Sequence, residues 1–216
     1  MREEVIERIE KEKIIAIVRG VKKEKLPYVA EALYNGGIRL MEITYSANGA
    51  VHDADIASMI ADMVAAFGND MYIGAGTVLT DKQVELTKEA GGRFVISPDV
   101  YESVIKRTRE LGMVSIPGAI TPTEVRTALR FGADFVKLFP IGKIGGAEYV
   151  KAILAPLAGT KFLAVGGIHD GNMSEYLRAG VVGFGIGANI VPKSLVETGD
   201  YRSIAELAKT YVELVK

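Results

Sequence analysis

Short runs of apolar and β-branched residues recur along the chain: IIAIV from Ile14, IRLMEI from Ile38, MYIGAG from Met71 and RFVIS from Arg93. The series continues with MVSIP from Met113, DFVKLF from Asp134, KFLAV from Lys161 and VGFGIG from Val182. Between the runs, apolar residues fall at helical spacing, and two helix starts carry capping boxes, Thr80 with Gln83 and Thr121 with Glu124. Most helical stretches close on glycine just before the next run, at Gly36 and Gly37, Gly91 and Gly92, Gly112, Gly132 and Gly180. Glycine there takes the left-handed conformation that stops a helix. The opening segment, MREEVIERIEKEK, interleaves charges with Val5, Ile6 and Ile9 and predicts a short amphipathic helix rather than a signal peptide.

Repetition at roughly 20 to 30 residues suits βα units, whose crossovers force parallel strands buried on both faces. Eight such units predict an α/β fold, a single (β/α)8 TIM barrel with an additional short N-terminal helix, in one domain over residues 1–216. The alternative, an open doubly wound sheet, lacks a GxGxxG fingerprint at the first strand. The chain has 216 residues, 49% of them hydrophobic, enough for a core without staples. Its 26 basic and 27 acidic residues leave no field that would attract nucleic acid or a membrane surface, so the expected partner is a small molecule. No apolar run approaches the roughly 20 residues that span a bilayer. The absence of cysteine removes disulfides, thiolate catalysis and cysteine-bound zinc, and fits a cytoplasmic setting. His52 and His169 are too few and too poorly placed for a ligand set, so neither a metal nor a cofactor is expected.

In such barrels, chemistry gathers where the strands end. Two residues there demand explanation, because Glu42 and Lys137 stand in otherwise apolar runs, where an unpaired charge is costly. A lysine nucleophile needs its neutral amine, so its pKa must fall from about 10.4 to roughly 7 or 8, about 4 kcal/mol. Apolar Val136, Leu138 and Phe139 would supply the desolvation, and Arg19 a disfavouring positive charge. Glu42 is suited to moving the protons of Schiff-base chemistry. The alternatives are a structural salt bridge between Lys137 and Glu42, or Glu42 as counter-ion to Arg19. At the other ends, Thr77 offers a hydroxyl for a carboxylate or incipient oxyanion, and Pro98 lines the mouth. AVGGI, with Gly166 and Gly167, and GFGIGAN, with Gly187 and Ala188, place small residues at the seventh and eighth ends, the usual phosphate site of barrels. Tight turns alone would also explain those glycines.

Taken in order, GGIRLMEIT, IGAGTVLT, FVISPD, SIPGAITPTE, FVKLFP, AVGGI and GIGANI resemble the KDPG/KHG aldolase family over nearly the whole chain. That resemblance implies a class I aldolase, a lyase that cleaves 2-keto-3-deoxy-6-phosphogluconate to pyruvate and glyceraldehyde 3-phosphate. A related activity turns 4-hydroxy-2-oxoglutarate into pyruvate and glyoxylate. It also implies a homotrimer, imine formation by Lys137, and proton transfer by Glu42. Three positions depart from the family pattern. Ser46 stands where many members carry an arginine for the pyruvyl carboxylate, which makes Arg19 the candidate substitute. Val165 and Ala188 stand where relatives place hydroxyls near the phosphate, leaving backbone donors. IVRG also resembles the branch acting on the galactonate epimer. Two other functions remain open on the same barrel. One is a phosphosugar isomerase or epimerase with Glu42 as base, and the other a non-catalytic barrel that binds phosphometabolites.

Overall fold

The computed structural model describes residues 2–216. Nine parallel strands form one sheet: β1 (Ile14–Val18), β2 (Leu40–Thr44), β3 (Tyr72–Gly76), β4 (Phe94–Ile96), β5 (Val114–Ile116), β6 (Gly118–Ala119), β7 (Val136–Leu138), β8 (Phe162–Val165) and β9 (Gly183–Ile186). Their spatial order is β5, β4, β3, β2, β1, β9, β8, β7, β6. The two ends of that order are one stretch of chain parted by Pro117. Proline has no N–H to donate, which breaks the fifth strand in two and raises the count from the expected eight to nine. The barrel still closes, because the Ser115 carbonyl accepts from the Phe135 amide (3.3 Å) and the Pro117 carbonyl from the Lys137 amide (2.8 Å).

Among the described residues ten α-helices accompany the strands: α1 (Arg2–Glu12), α2 (Leu26–Asn35), α3 (Asp53–Phe67), α4 (Asp81–Glu89), α5 (Glu102–Glu110), α6 (Pro122–Phe131), α7 (Gly146–Leu154), α8 (Met173–Ala179), α9 (Lys193–Thr198) and α10 (Tyr201–Glu213). The capping box of α6 is reciprocal: Thr121 Oγ1 accepts from the Glu124 amide, and Glu124 Oε2 from the Thr121 amide at 2.7 Å. At α4 the box is displaced. Thr80 Oγ1 accepts from the Gln83 amide, but the Gln83 side chain reaches back one residue further, accepting from Leu79 at 2.7 Å. Its amide end donates to Asp53, which ties α4 to the start of α3.

Two apolar cores result. The larger lies between the outer face of the barrel and the helices. The smaller fills the barrel itself with Ile15, Leu40, Tyr72, Phe94, Phe135 and Leu163, and Val5 and Ile9 of α1 join it as a plug. Polar contacts hold the plug in place. Arg2 pairs with Asp134, which also takes Arg109 at 2.8 Å and the Ser115 amide at 3.0 Å, and the Tyr72 hydroxyl donates to Glu4. Ile9 is fully buried, so Ile9→Ala should lower unfolding stability by about 2–5 kcal/mol. Urea denaturation checks this, and a loss below about 1 kcal/mol would mean that α1 packs only loosely.

Candidate active site

Side chains along a strand alternate between faces, so residues two apart point the same way. Leu40 of β2 and Phe135, just before β7, belong to the barrel interior. Two residues further on, Glu42 and Lys137 therefore face inward one layer nearer the mouth, and both are buried, at 2% and 8% exposure. Room for Glu42 comes from β3. A Cβ built on Gly76 would lie 1.5 Å from Glu42 Oε1, so any side chain there would displace the carboxyl. Sequence reasoning missed Gly76. Its signal was the glycine pair Gly74 and Gly76 at alternating, inward-facing positions beside β2.

Glu42 Oε2 is buried without a hydrogen-bond partner among the described residues. Burial raises the carboxyl's pKa, against the pull of Lys137 and Arg19, so it holds a proton more readily than a surface glutamate. For Lys137, burial is again the first cause and lowers the amine's pKa. Glu42 and Asp99 oppose that shift, and Arg19 reinforces it. No ion pair within 4.0 Å joins Lys137 to Glu42 among the described residues, which removes the structural salt bridge as an explanation for either. The Lys137 ammonium sits 5.1 Å above the Phe139 ring, itself 40% exposed at the mouth. Asp99, at the end of β4, is a second residue the sequence reading passed over.

Arg19 and Thr77 are brought together: Arg19 Nη2 donates to Thr77 Oγ1 at 3.3 Å. Thr77 has φ of +55°, a left-handed conformation that is costly for a β-branched residue. Ser46 turns into its own loop and donates to Asn48 at 2.8 Å. Arg19, Thr44 and Ser46 also line a cavity of about 760 Å³ that opens beside the mouth, between the loops after β1 and β2.

Gly166 and Gly167 both adopt positive φ, +87° and +80°. Asn172 Nδ2 donates to the Gly167 carbonyl at 2.9 Å, and Asn189 Nδ2 donates to the Ile168 carbonyl at 2.6 Å, linking the loops after β8 and β9. The Gly187 carbonyl accepts from the amides of Ile190 and Val191. The amides of Gly166, Gly167, Ala188 and Asn189 have no acceptor among the described residues. Pro98 is exposed, and its carbonyl would be 2.3 Å from a Cβ on Gly118, so the two strand ends meet backbone to backbone. Among the described residues, no cluster of three histidine, aspartate or glutamate side chains is placed to hold a metal ion.

A family model described as "Aldolase: KDPG and KHG aldolase" matches residues 5–207. The chain is 33% identical to a 2-dehydro-3-deoxy-phosphogluconate aldolase of Treponema pallidum (strain Nichols), over 98% of this chain and 97% of the relative. It is 37% identical to a probable 2-dehydro-3-deoxy-6-phosphogalactonate aldolase of Rhizobium meliloti (strain 1021), over 90% of each. Among solved structures, it is similar to the KDPG aldolase from Legionella pneumophila with pyruvate captured at low pH as a covalent carbinolamine intermediate. That likeness has a TM-score of 0.82 and 30% identity, covering 92% of this chain and 93% of the other.

Because Glu42 raises the pKa of Lys137, removing its charge has a definite sign. Glu42→Gln should shift the pH midpoint of Lys137 acylation, followed by peptide mass spectrometry, to lower pH. An unchanged midpoint would mean that the two groups do not sense one another.

Proposed function

The chain belongs to the KDPG and KHG aldolase family, and from that premise we propose that it is a class I aldolase cleaving 2-keto-3-deoxy-6-phosphogluconate to pyruvate and glyceraldehyde 3-phosphate. The observation that carries the reading is a buried amine, Lys137, with its pKa lowered, sharing the barrel mouth with a buried, unpartnered carboxyl, Glu42. That pairing suits a nucleophile and a proton carrier.

The Lys137 amine adds to the C2 carbonyl and gives a carbinolamine, which loses water to become a protonated imine. A base then takes the C4 hydroxyl proton, the C3–C4 bond breaks, and its electron pair moves to the imine nitrogen. The aldehyde leaves and a pyruvate enamine remains. Protonation at C3 and hydrolysis of the imine release pyruvate and restore the amine. Glu42 serves the proton transfers; its raised pKa lets it hold a proton more readily than a surface carboxyl and hand it on. Arg19 and Thr77 hold the substrate carboxylate, with Arg19 in place of the cation that Ser46 does not provide. Gly166, Gly167, Gly187 and Ala188 receive the phosphate through their amides, and Pro98 and Phe139 line the path. In this reading the chain acts as one domain over residues 1–216, as a homotrimer in the cytoplasm, and without a metal or cofactor. No helix among the described residues is long and apolar enough to cross a membrane.

Two further substrates fit the same machinery. The galactonate epimer is supported by the Rhizobium meliloti relative and by Arg19 in IVRG. Cleavage of 4-hydroxy-2-oxoglutarate to pyruvate and glyoxylate fits the family's second name.

Incubation with pyruvate and borohydride should leave a reduced adduct on Lys137, located by peptide mass spectrometry, and none in Lys137→Ala, which should also lose turnover. A folded protein that forms no adduct would turn the assignment to an epimerase or a binding barrel. Arg19→Ala should raise the KM for pyruvate in the aldol direction by roughly tenfold or more, as expected for loss of a charge-assisted pair. An unchanged KM would remove the carboxylate role.

A further inference from the structure

The anion cradle at the glycine loops has amide donors and, among the described residues that form it, no cation. The residues that form it, 165–168 and 187–189, carry no charge, whereas a phosphoryl group carries about −1.5 to −2 charges at neutral pH. Amides alone position such a group, and a nearby cation adds the charge-assisted bonds that make its binding strong. Several cations on the elements that follow β1, β7 and β9 are engaged. Lys193 pairs with Glu197 at 3.5 Å, Lys151 with Glu148 at 2.7 Å, and Arg19 turns to Thr77. His169 lies beside Asp170 at 3.8 Å.

One cation near the cradle has no such partner. After β7 the chain makes a 3-10 turn, Ile141–Lys143, that leans on the cradle. The Gly142 amide donates to the Gly166 carbonyl at 2.9 Å, and a Cβ on Gly142 would lie 3.1 Å from the Gly167 Cα. The two backbones therefore touch. Lys143 follows, one Cα step of about 3.8 Å further on. It is exposed, and its ammonium makes no ion pair or hydrogen bond among the described residues. Fully buried Ile141 anchors the start of the turn.

We propose that Lys143 is the cation of the phosphoryl subsite and sets the preference for phosphorylated over unphosphorylated 2-keto-3-deoxy sugar acids. The assignment rests on the reading of the glycine loops as an anion site. It gives the lysine that reacts and the lysine that selects a common origin, since the segment leaving Lys137 on β7 reaches Lys143 after a single short turn. The covalent and the electrostatic grip on one substrate are thereby held at a fixed separation.

The test compares cleavage of the 6-phosphorylated acid and of its unphosphorylated counterpart by wild type, Lys143→Ala and Lys143→Arg, with inorganic phosphate as competitive inhibitor. In Lys143→Ala the KM for the phosphorylated acid and the inhibition constant of inorganic phosphate should each rise about tenfold, the size of one lost charge-assisted bond. The loss should fall on KM rather than kcat, and arginine should recover most of it. If Lys143→Ala keeps the wild-type preference, or loses activity equally toward both acids, the assignment to Lys143 is overturned while the glycine loops stand. A wild type indifferent to phosphorylation and unaffected by inorganic phosphate overturns both.

Discussion

The site depends on the burial of two ionisable groups in one apolar tube without an ion pair between them. Had Glu42 and Lys137 met in a salt bridge, each would have stabilised the other's charge, and the amine would have stayed an ammonium. Held apart, each is governed mainly by desolvation, which pushes both toward their neutral forms. Separation therefore matters as much as burial. Much of it is arranged by strand β3, where the missing side chain of Gly76 makes the space that the Glu42 carboxyl occupies.

The remaining geometry follows from barrel closure. A fifth strand broken at Pro117 serves β4 on one side and β7 on the other, so the backbone that carries Lys137 is fixed by the same residue that breaks the strand. At the opposite end, α1 fills the tube with Val5 and Ile9 and shuts water out from below. The mouth is left as the way in. Around it the functions are spaced by strand order, with Arg19 and Thr77 on either side of Glu42 and the glycine loops between Lys137 and Arg19.

Alternating apolar runs and helical spacing made the strands legible, because parallel strands covered on both faces must be apolar along their length. Glu42 and Lys137 stood out for the same reason, as charges where the pattern leaves no room for them. The split of the fifth strand was hidden, since Pro117 reads as an ordinary strand terminus until its carbonyl is seen accepting from Lys137. Gly76 was hidden too, because the lack of a side chain speaks only when a neighbour from another strand fills the space. Capping at Thr80 was half legible: the hydroxyl caps as expected, but tertiary contact with Asp53 draws Gln83 away from the local partner.

The ladder between β1 and β9, which sets Ile14 against Phe184, joins the two ends of the chain and completes the ring. In an unfolded chain Lys137 loses the burial that lowers its pKa and is an ordinary ammonium, a poor nucleophile toward carbonyls. Its nucleophilicity is thus a property of the finished fold. A chain still being synthesised, or one that has come partly undone, carries a lysine too well hydrated to condense with whatever keto acid surrounds it.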